Sequence, residues 1–332
     1  MNQKGFVNII LVVVIVILAG AIGYLALIKI KQPTSQPPAP SVGQFSLDNG
    51  LIVASMNGQI VTVRADGTEK KTVLNDGFDN QFPAWSWDGK KIAYSSIRQG
   101  HPQIFIIDAD GSNLKQLTQP PHNAFMPSWS HDDKMIIFSS TDKLGTTDPR
   151  VWVMNANGSN QKPLTQIGLH GAISSFSPDD KTIIYIGRVN GHNEIFSMNA
   201  DGSNAHPLTF PTDPKAPDAN AVSWSPDGKK LAFFCGQEGS KAPEGHDTQQ
   251  VCLINADGSN RQQFTKCTYP SCIASDNPHW SPDGTMILYD RGSPDPAESG
   301  VWIMNLDGTN NHQLLPPGYS TGRRAWKALG TN

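Results

Sequence analysis

Short runs of alternating apolar and polar residues, broken by turn residues, fill positions 50 to 332 and predict β-strands. One recurring run opens with an aromatic residue and serine, turns at an aspartate and continues as an apolar strand, as in WSPDGKKLAFF from Trp224. Further copies begin at Trp85, Trp129, Phe176 and Trp280, so that successive starts lie 44, 47, 48 and 56 residues apart. A period of about 40 to 50 residues, made of strands and turns, is typical of propeller blades.

Each repeat contains two predicted hairpins. In Pro-Asp-Gly at 226–228, proline sets φ at the first corner and glycine accepts positive φ. The second hairpin turns on Asp-Gly or Asn-Gly, dipeptides that favour tight turns with both central residues left-handed. These dipeptides begin at positions 66, 110, 157, 201, 257 and 307. Two hairpins give four strands, which is one blade.

The number of hairpins predicts how the ring closes. Six second hairpins follow only five aromatic-serine starts, because the chain enters at GLIVAS (50–55) without one. The missing start is found at Trp326, 46 residues after Trp280. We therefore expect an all-β fold, a six-bladed propeller of four-stranded antiparallel blades whose C-terminal strand forms the inner strand of blade 1.

The repeat resembles that of the TolB-type propeller family. The resemblance rests on Trp-Ser-Pro-Asp-Gly-Lys-Lys, followed by an aliphatic strand that leads into Asn-Ala-Asp-Gly-Ser-Asn and Leu-Thr. It covers residues 50 to 332 and implies a fold more than an activity, because one propeller scaffold hosts many functions. The family includes peptidases, but no catalytic domain accompanies the repeats here, which favours a binding module over an enzyme. A separate N-terminal domain, as in TolB itself, is not expected either.

The N-terminal segment has a different composition. Residues 6–28 are nearly all apolar and would span about 34 Å as a helix, enough to cross a bilayer. We predict a transmembrane anchor within residues 1–31. Two alternatives stay open: cleavage of a signal peptide after Ala19-Gly20-Ala21, and prepilin-like processing at Lys4-Gly5-Phe6, although Ile10 stands where pilins usually carry glutamate.

A proline-rich stretch, residues 32–43, follows the predicted anchor and is typical of a semi-extended linker. Residues 44–332 then form the predicted propeller. All 29 acidic residues lie at or after Asp48, whereas three of the 26 basic residues precede it, which leaves a net charge of −6 on the rest of the chain. This charge argues against a nucleic-acid partner.

The cysteines predict the compartment. Cys235 ends the second predicted strand of blade 5 and Cys252 begins the third, while Cys267 and Cys272 bracket four residues of one loop. We predict two local disulfides, with four free thiols or a zinc site as alternatives, although no Cys-x-x-Cys occurs. Disulfides indicate an oxidising compartment, hence a propeller on the extracytoplasmic side of a bacterial cytoplasmic membrane.

Blade geometry predicts two unlike faces. Turns between the first two strands and between the last two strands of each blade lie on one face, the plain face, and are stereotyped. All other connections reach the opposite, variable face, where we expect recognition. Residues before each inner strand should ring the channel mouth there and bind the ligand. They are Asp79, Asn80, His122, Asn123, His170, Asp218, Asn220, Asp276, Asn277 and Tyr319.

Two functions fit this pattern. We predict a membrane-tethered module, without metal or cofactor, that binds a protein, a peptide or an envelope polysaccharide. The alternative is a metal-dependent lyase or hydrolase at the same mouth, built on histidines of the variable-face loops. No catalytic residue is predicted, because Ser320 in Gly-Tyr-Ser-Thr-Gly lacks the helix that a nucleophile elbow requires. The Asp-Gly turns are also too short to surround calcium.

Overall fold

The computed structural model describes residues 50–98, 100–141, 148–166, 171–210, 220–241, 247–265 and 274–327. These residues form 24 strands and one short 3-10 helix, Pro296–Glu298. The strands are β1 Leu51–Met56, β2 Gln59–Arg64, β3 Lys71–Leu74, β4 Asp79–Trp85, β5 Lys91–Ile97, β6 Pro102–Asp108, β7 Lys115–Gln116, β8 Asn123–Trp129, β9 Met135–Thr141, β10 Arg150–Asn155, β11 Lys162–Pro163, β12 Ala172–Phe176, β13 Thr182–Val189, β14 His192–Asn199, β15 His206–Pro207, β16 Asn220–Trp224, β17 Lys230–Lys241, β18 Asp247–Asn255, β19 Gln262–Gln263, β20 Ala274–Trp280, β21 Met286–Gly292, β22 Gly300–Asn305, β23 His312–Leu315 and β24 Tyr319–Lys327.

The strands pair into six four-stranded antiparallel sheets, and the predicted closure is confirmed. Blade 1 has the order β24-β1-β2-β3, whereas blades 2 to 6 each use four consecutive strands, from β4–β7 to β20–β23. Leu51 pairs with Lys327 and Ile52 with Trp326, so the last strand is the inner strand of the first blade. Each inner strand contacts the inner strands of both neighbouring blades, which completes the ring.

The predicted anchor at residues 6–28 and the linker at 32–43 lie outside the described residues. Within the part of the chain that the structure describes, no helix has the length and apolar character needed to cross a membrane.

The aromatic residue of each repeat packs between blades. Six apolar clusters occur in the described residues, and each joins two successive blades. Each motif aromatic belongs to, or packs against, the cluster between its own blade and the preceding one. They are Trp85, Trp129, Phe176, Trp224, Trp280 and Trp326. Removing such a buried ring costs about 3 to 5 kcal/mol. The sequence repeat therefore recurs at the spacing of the residues that pack between blades.

The outer hairpins correct one detail of the sequence analysis. Of the Asp110-Gly111 dipeptide between β6 and β7, only Gly111 is left-handed (φ 93°), and its N–H donates to the Asp108 carbonyl (2.9 Å). The same holds in the other blades, so the prediction that both residues of each dipeptide are left-handed is wrong. Glycine is needed for packing as well, because a Cβ at Gly111 would lie 2.6 Å from the Val73 carbonyl oxygen of blade 1. The residue two positions after this glycine is also left-handed, asparagine in five blades but Glu69 (φ 50°) in blade 1.

The turns between inner strands and their neighbours connect successive blades. Asp133 in blade 3 is left-handed (φ 57°), and its carboxylate accepts the N–H groups of Trp87 (2.5 Å) and Asp88 (2.8 Å) in blade 2. Asp180 in blade 4 binds the corresponding turn of blade 3 in the same way, at 2.5 and 2.9 Å. These inter-turn hydrogen bonds offset the cost of a left-handed backbone at a residue other than glycine.

Blades 5 and 6 have glycine at this turn position, and the preceding blade explains it. A Cβ at Gly228 would lie 3.6 Å from the ring of Pro178, and one at Gly284 would lie 3.6 Å from the ring of Pro226. Proline has no N–H to donate, and its ring occupies the space that a carboxylate would need. In blades 3 to 6, aspartate therefore follows a turn that offers an N–H, and glycine follows a proline. Blade 2 also has glycine, Gly89, where a Cβ would lie 2.8 Å from Lys327 Cδ.

The disulfide predicted between Cys235 and Cys252 is present. It joins β17 to β18, with the two Cα atoms 5.9 Å apart, and both residues are buried. The second predicted pair, Cys267 and Cys272, lies outside the described residues.

Candidate functional site

The structure describes six of the ten predicted mouth side chains. His170 and Asp218 lie outside the described residues, and for Asn220 and Asp276 only the strand position is described. Asp79 begins β4 and Asn123 begins β8, as expected for residues at the variable-face end of an inner strand.

A cavity of about 470 Å³ opens at this mouth, between blades 1 and 2. The end of β1 and the β1–β2 turn form one wall, the start of β4 forms the other, and Gly318 before β24 completes the lining. Asp79 and Asn80, both predicted site residues, line it together with Phe78 and Met56. The structure therefore brings two of the predicted residues into one concave site.

A tight hairpin positions the blade 1 wall. Asn57 and Gly58 are both left-handed (φ 49° and 77°), so the β1–β2 turn has the conformation that a two-residue Asn-Gly hairpin favours. A Cβ at Gly58 would lie 2.3 Å from the Phe78 carbonyl oxygen, which shows how closely the two walls approach. Asn80 joins them, because its Nδ2 donates to the Gly58 carbonyl (2.7 Å) and to Asp76 Oδ1 (2.8 Å).

An arginine that the sequence analysis did not single out holds the blade 2 wall. Arg98 donates to Asp76 Oδ2, and its guanidinium lies 4.8 Å from the ring centroid of Phe78 and 4.6 Å from that of Phe105. It also donates to the Tyr94 hydroxyl (3.3 Å). Burial raises the pKa of Tyr94, so this hydroxyl stays neutral. The positive charge of Arg98 is thus bound to Asp76 and to aromatic side chains of the protein itself.

Two exposed apolar side chains lie in or next to the cavity: Phe78 lines it, and Ile97 is paired with its lining residue Asp79. Phe78 is 40% exposed and Ile97 is 38% exposed, values that are high for large apolar residues. Ile97 pairs with Asp79 across β4 and β5, so the two side chains project from the same face of the blade. Asp79 is itself exposed, and its Oδ2 accepts Gln81 Nε2 at 2.8 Å. Acidic and apolar groups therefore stand side by side at the opening.

The other described mouth residues have contacts within the protein. His122 lies 3.2 Å (Nδ1) from the Thr141 carbonyl oxygen. Asn277 donates to the Thr321 carbonyl (2.7 Å) and so joins blade 6 to blade 1. Tyr319 is 7% exposed and packs between the same two blades. Their role as ligand contacts stays a prediction, as it does for Asn123.

A second cavity, of about 250 Å³, lies at the plain-face end of the channel. Motif aromatics such as Trp224 and turn residues such as Pro226 and Pro282 line it. Its aromatic side chains belong to the inter-blade clusters described above, so the walls are part of the core packing. In the described residues, no group of three or more His, Cys, Asp or Glu side chains is placed to hold a metal ion at either cavity.

Comparison with known proteins agrees with the fold. The model of the TolB beta propeller domain matches residues 53–268 and, in a second alignment, residues 146–329. The chain belongs to the TolB β-propeller family. No curated protein sequence matches it.

Solved structures give the same result for the propeller. TolB from Acinetobacter baumannii is similar with a TM-score of 0.67 and 24% identity, over 83% of this chain and 66% of that one. A protein of Agrobacterium tumefaciens with a provisional TolB assignment has a TM-score of 0.67 and 20% identity, over 81% and 92%. Oligogalacturonate lyase from Vibrio parahaemolyticus has a TM-score of 0.55 and 12% identity, over 81% and 80%. At these identities the likeness shows the fold alone, a fold that the two TolB structures share with a lyase.

Proposed function

We propose that this TolB-like propeller is a cell-envelope module that binds a protein or peptide at the variable-face mouth, tethered to the cytoplasmic membrane through residues 6–28. The cavity between blades 1 and 2 carries the proposal. It combines exposed apolar side chains, a carboxylate and a wall held by the close approach of Gly58 to Phe78. A rigid ring that presents such a concave, mixed surface is suited to recognition.

The location of the propeller is proposed on independent grounds. The Cys235–Cys252 disulfide supports an oxidising compartment, since such bonds are rare in reducing cytoplasm. The apolar length of residues 6–28 supports a tether. Peptide mapping of non-reduced protein from its native membrane tests this placement. We expect Cys235 linked to Cys252 and Cys267 linked to Cys272, and four alkylatable thiols would contradict it.

Photo-crosslinking tests the binding face directly in the full chain. A photoreactive phenylalanine analogue at Phe78 or Ile97 should form adducts with a partner in the native membrane. Leu114 (44% exposed) and Leu306 (37%) provide matched controls, because they have similar exposure but lie in plain-face turns. Adducts at the controls and none at the variable face would show that the proposed face is wrong. Adducts with glycan instead of protein would favour an envelope polymer.

A further inference from the structure

The electrostatic balance of the cavity between blades 1 and 2 restricts what it can bind. One carboxylate, Asp79, lines its blade 2 wall, and a second, Asp76, lies behind that wall and accepts a hydrogen bond from Asn80. Arg98 is ion-paired with Asp76. Lys70 is bound to Tyr319, the residue after Gly318. Its ammonium group donates to the Tyr319 hydroxyl and also lies over the Tyr319 ring. Among the described residues Asp79 has no cationic partner, and its carboxylate accepts a hydrogen bond from the neutral amide of Gln81.

The geometry fixes an apolar contact next to this charge. Residues directly opposite each other in an antiparallel pair have Cβ atoms about 4.5 to 5.5 Å apart. Ile97 is opposite Asp79 and 38% exposed, and Phe78 precedes Asp79 in the chain and is 40% exposed. Any group that reaches the carboxylate therefore also lies close to the exposed side chain of Ile97, and the Phe78 ring, which packs on the Arg98 guanidinium, lines the same cavity.

We infer that the cavity selects an extended peptide segment in which a lysine or arginine stands beside an apolar residue. This inference rests on the proposed function and deepens it. The cation pairs with Asp79, while the neighbouring apolar side chain packs on Ile97 and Phe78. A volume of about 470 Å³ suits a few residues of chain instead of a flat protein surface.

Anionic ligands are disfavoured by the same arrangement. An acidic peptide or a uronate polymer would place its charge near Asp79, and the guanidinium of Arg98 is already bound to Asp76 and Tyr94. A like-charge contact of this kind is unfavourable and therefore acts against anionic partners.

The test uses the full chain in nanodiscs and a panel of fluorescent octapeptides on a Gly-Ser background. One series carries adjacent Leu and Lys, a second Leu and Glu, a third Leu and Gln, and a fourth Lys alone. We expect the Leu-Lys peptide to bind at least about tenfold more tightly than the others, with an affinity that falls as salt rises. Asp79→Asn should remove most of this preference and most of the salt dependence.

Charge reversal makes the outcome decisive. Asp79→Lys should move the preference to the Leu-Glu peptide. Asp201 is an exposed turn carboxylate on the plain face, so Asp201→Asn should leave the peptide preference unchanged. Phe78→Ala should weaken binding of the Leu-Lys and Leu-Glu peptides about equally. Because Asp79 is exposed and without an ion pair in the described residues, the Asp79 variants should melt like the parent chain.

Equal binding of all peptides, absence of binding, or an unchanged preference in Asp79→Lys would overturn the inference. In that case crosslinks at Phe78 and Ile97 would still support the proposed binding face. Crosslinks confined to the plain face would instead overturn the proposed function, so the two failures are distinguishable.

Discussion

Replacing Asp133 with alanine is expected to destabilise the propeller by about 3 kcal/mol. A hydrogen bond to a charged acceptor contributes about 1.5 to 3 kcal/mol when buried, and since Asp133 is only half-buried we take about 1 kcal/mol for each of its two bonds. Alanine also tolerates the left-handed backbone at this position less well than aspartate does, which adds about 1 kcal/mol. Asp133→Gly loses the bonds but avoids that strain, so it should cost about 2 kcal/mol.

Thermal unfolding of the full chain measures this ordering. In a domain of this size, 1 kcal/mol corresponds to a change in Tm of about 2 °C. Asp133→Ala should therefore lower the Tm by about 6 °C and Asp133→Gly by about 4 °C. Asp201→Ala is the control, because Asp201 accepts its hydrogen bond from Ser203 of the same turn and none from a turn of another blade in the described residues. If alanine and glycine at 133 were equivalent, or if Asp201→Ala were as harmful, the inter-turn hydrogen bonds would not carry the energy assigned to them.

A double-mutant cycle tests the rule that aspartate needs an N–H in the preceding blade. Gly228→Asp alone should destabilise, because its carboxylate would meet the ring of Pro178. Pro178→Ala supplies the missing N–H and removes the ring. The double variant should then be more stable than the sum of the single changes predicts, with a coupling energy of about 1 to 3 kcal/mol. A coupling of zero would show that this rule does not explain the choice between aspartate and glycine.

Three further predictions concern the ring, the disulfide and one strained turn. Deleting residues 318–332 removes β24 and should cause aggregation or a large loss in Tm, whereas an unchanged melt would contradict closure by that strand. Cys235→Ser with Cys252→Ser should cost about 3 kcal/mol on the loop-closure model, and equal urea midpoints for this variant and the parent would count against it. Glu69→Asn should raise stability by about 0.5 to 1 kcal/mol, since asparagine tolerates the left-handed backbone better; a lower urea midpoint would show that the Arg64–Glu69 ion pair matters more.

The blades and their closure could be predicted from sequence because the information is local and repeated. Each Trp-Ser start marks a residue that packs between blades, and the start at Trp326 was visible from spacing alone. The type of the Asp-Gly turns was predicted wrongly, because the dipeptide fits two turn types and the carbonyl of Val73 in the preceding blade helps to decide between them. The choice of aspartate at 133 likewise depends on a residue one blade earlier.

The candidate site was predictable only in part. Asp79 and Asn80 could be placed at the mouth because they precede an inner strand. Ile97 and Arg98 gave no comparable signal, since their importance arises from strand pairing and from the contact of Arg98 with Asp76. The sequence did contain one hint. In the variable-face loop at 96–102, Arg98 and His101 are the only basic residues and there is no acidic one.

Pairing of the first strand with the last also affects how the protein is made. At about 5 to 20 residues per second, tens of seconds pass between synthesis of β1 and synthesis of β24. During that interval the edge of β1 that later faces β24 has no partner, so a nascent chain is exposed to pairing with other strands. Stalled synthesis shortly before Trp326 would therefore yield an almost complete protein with an open edge, a substrate for chaperones and proteases.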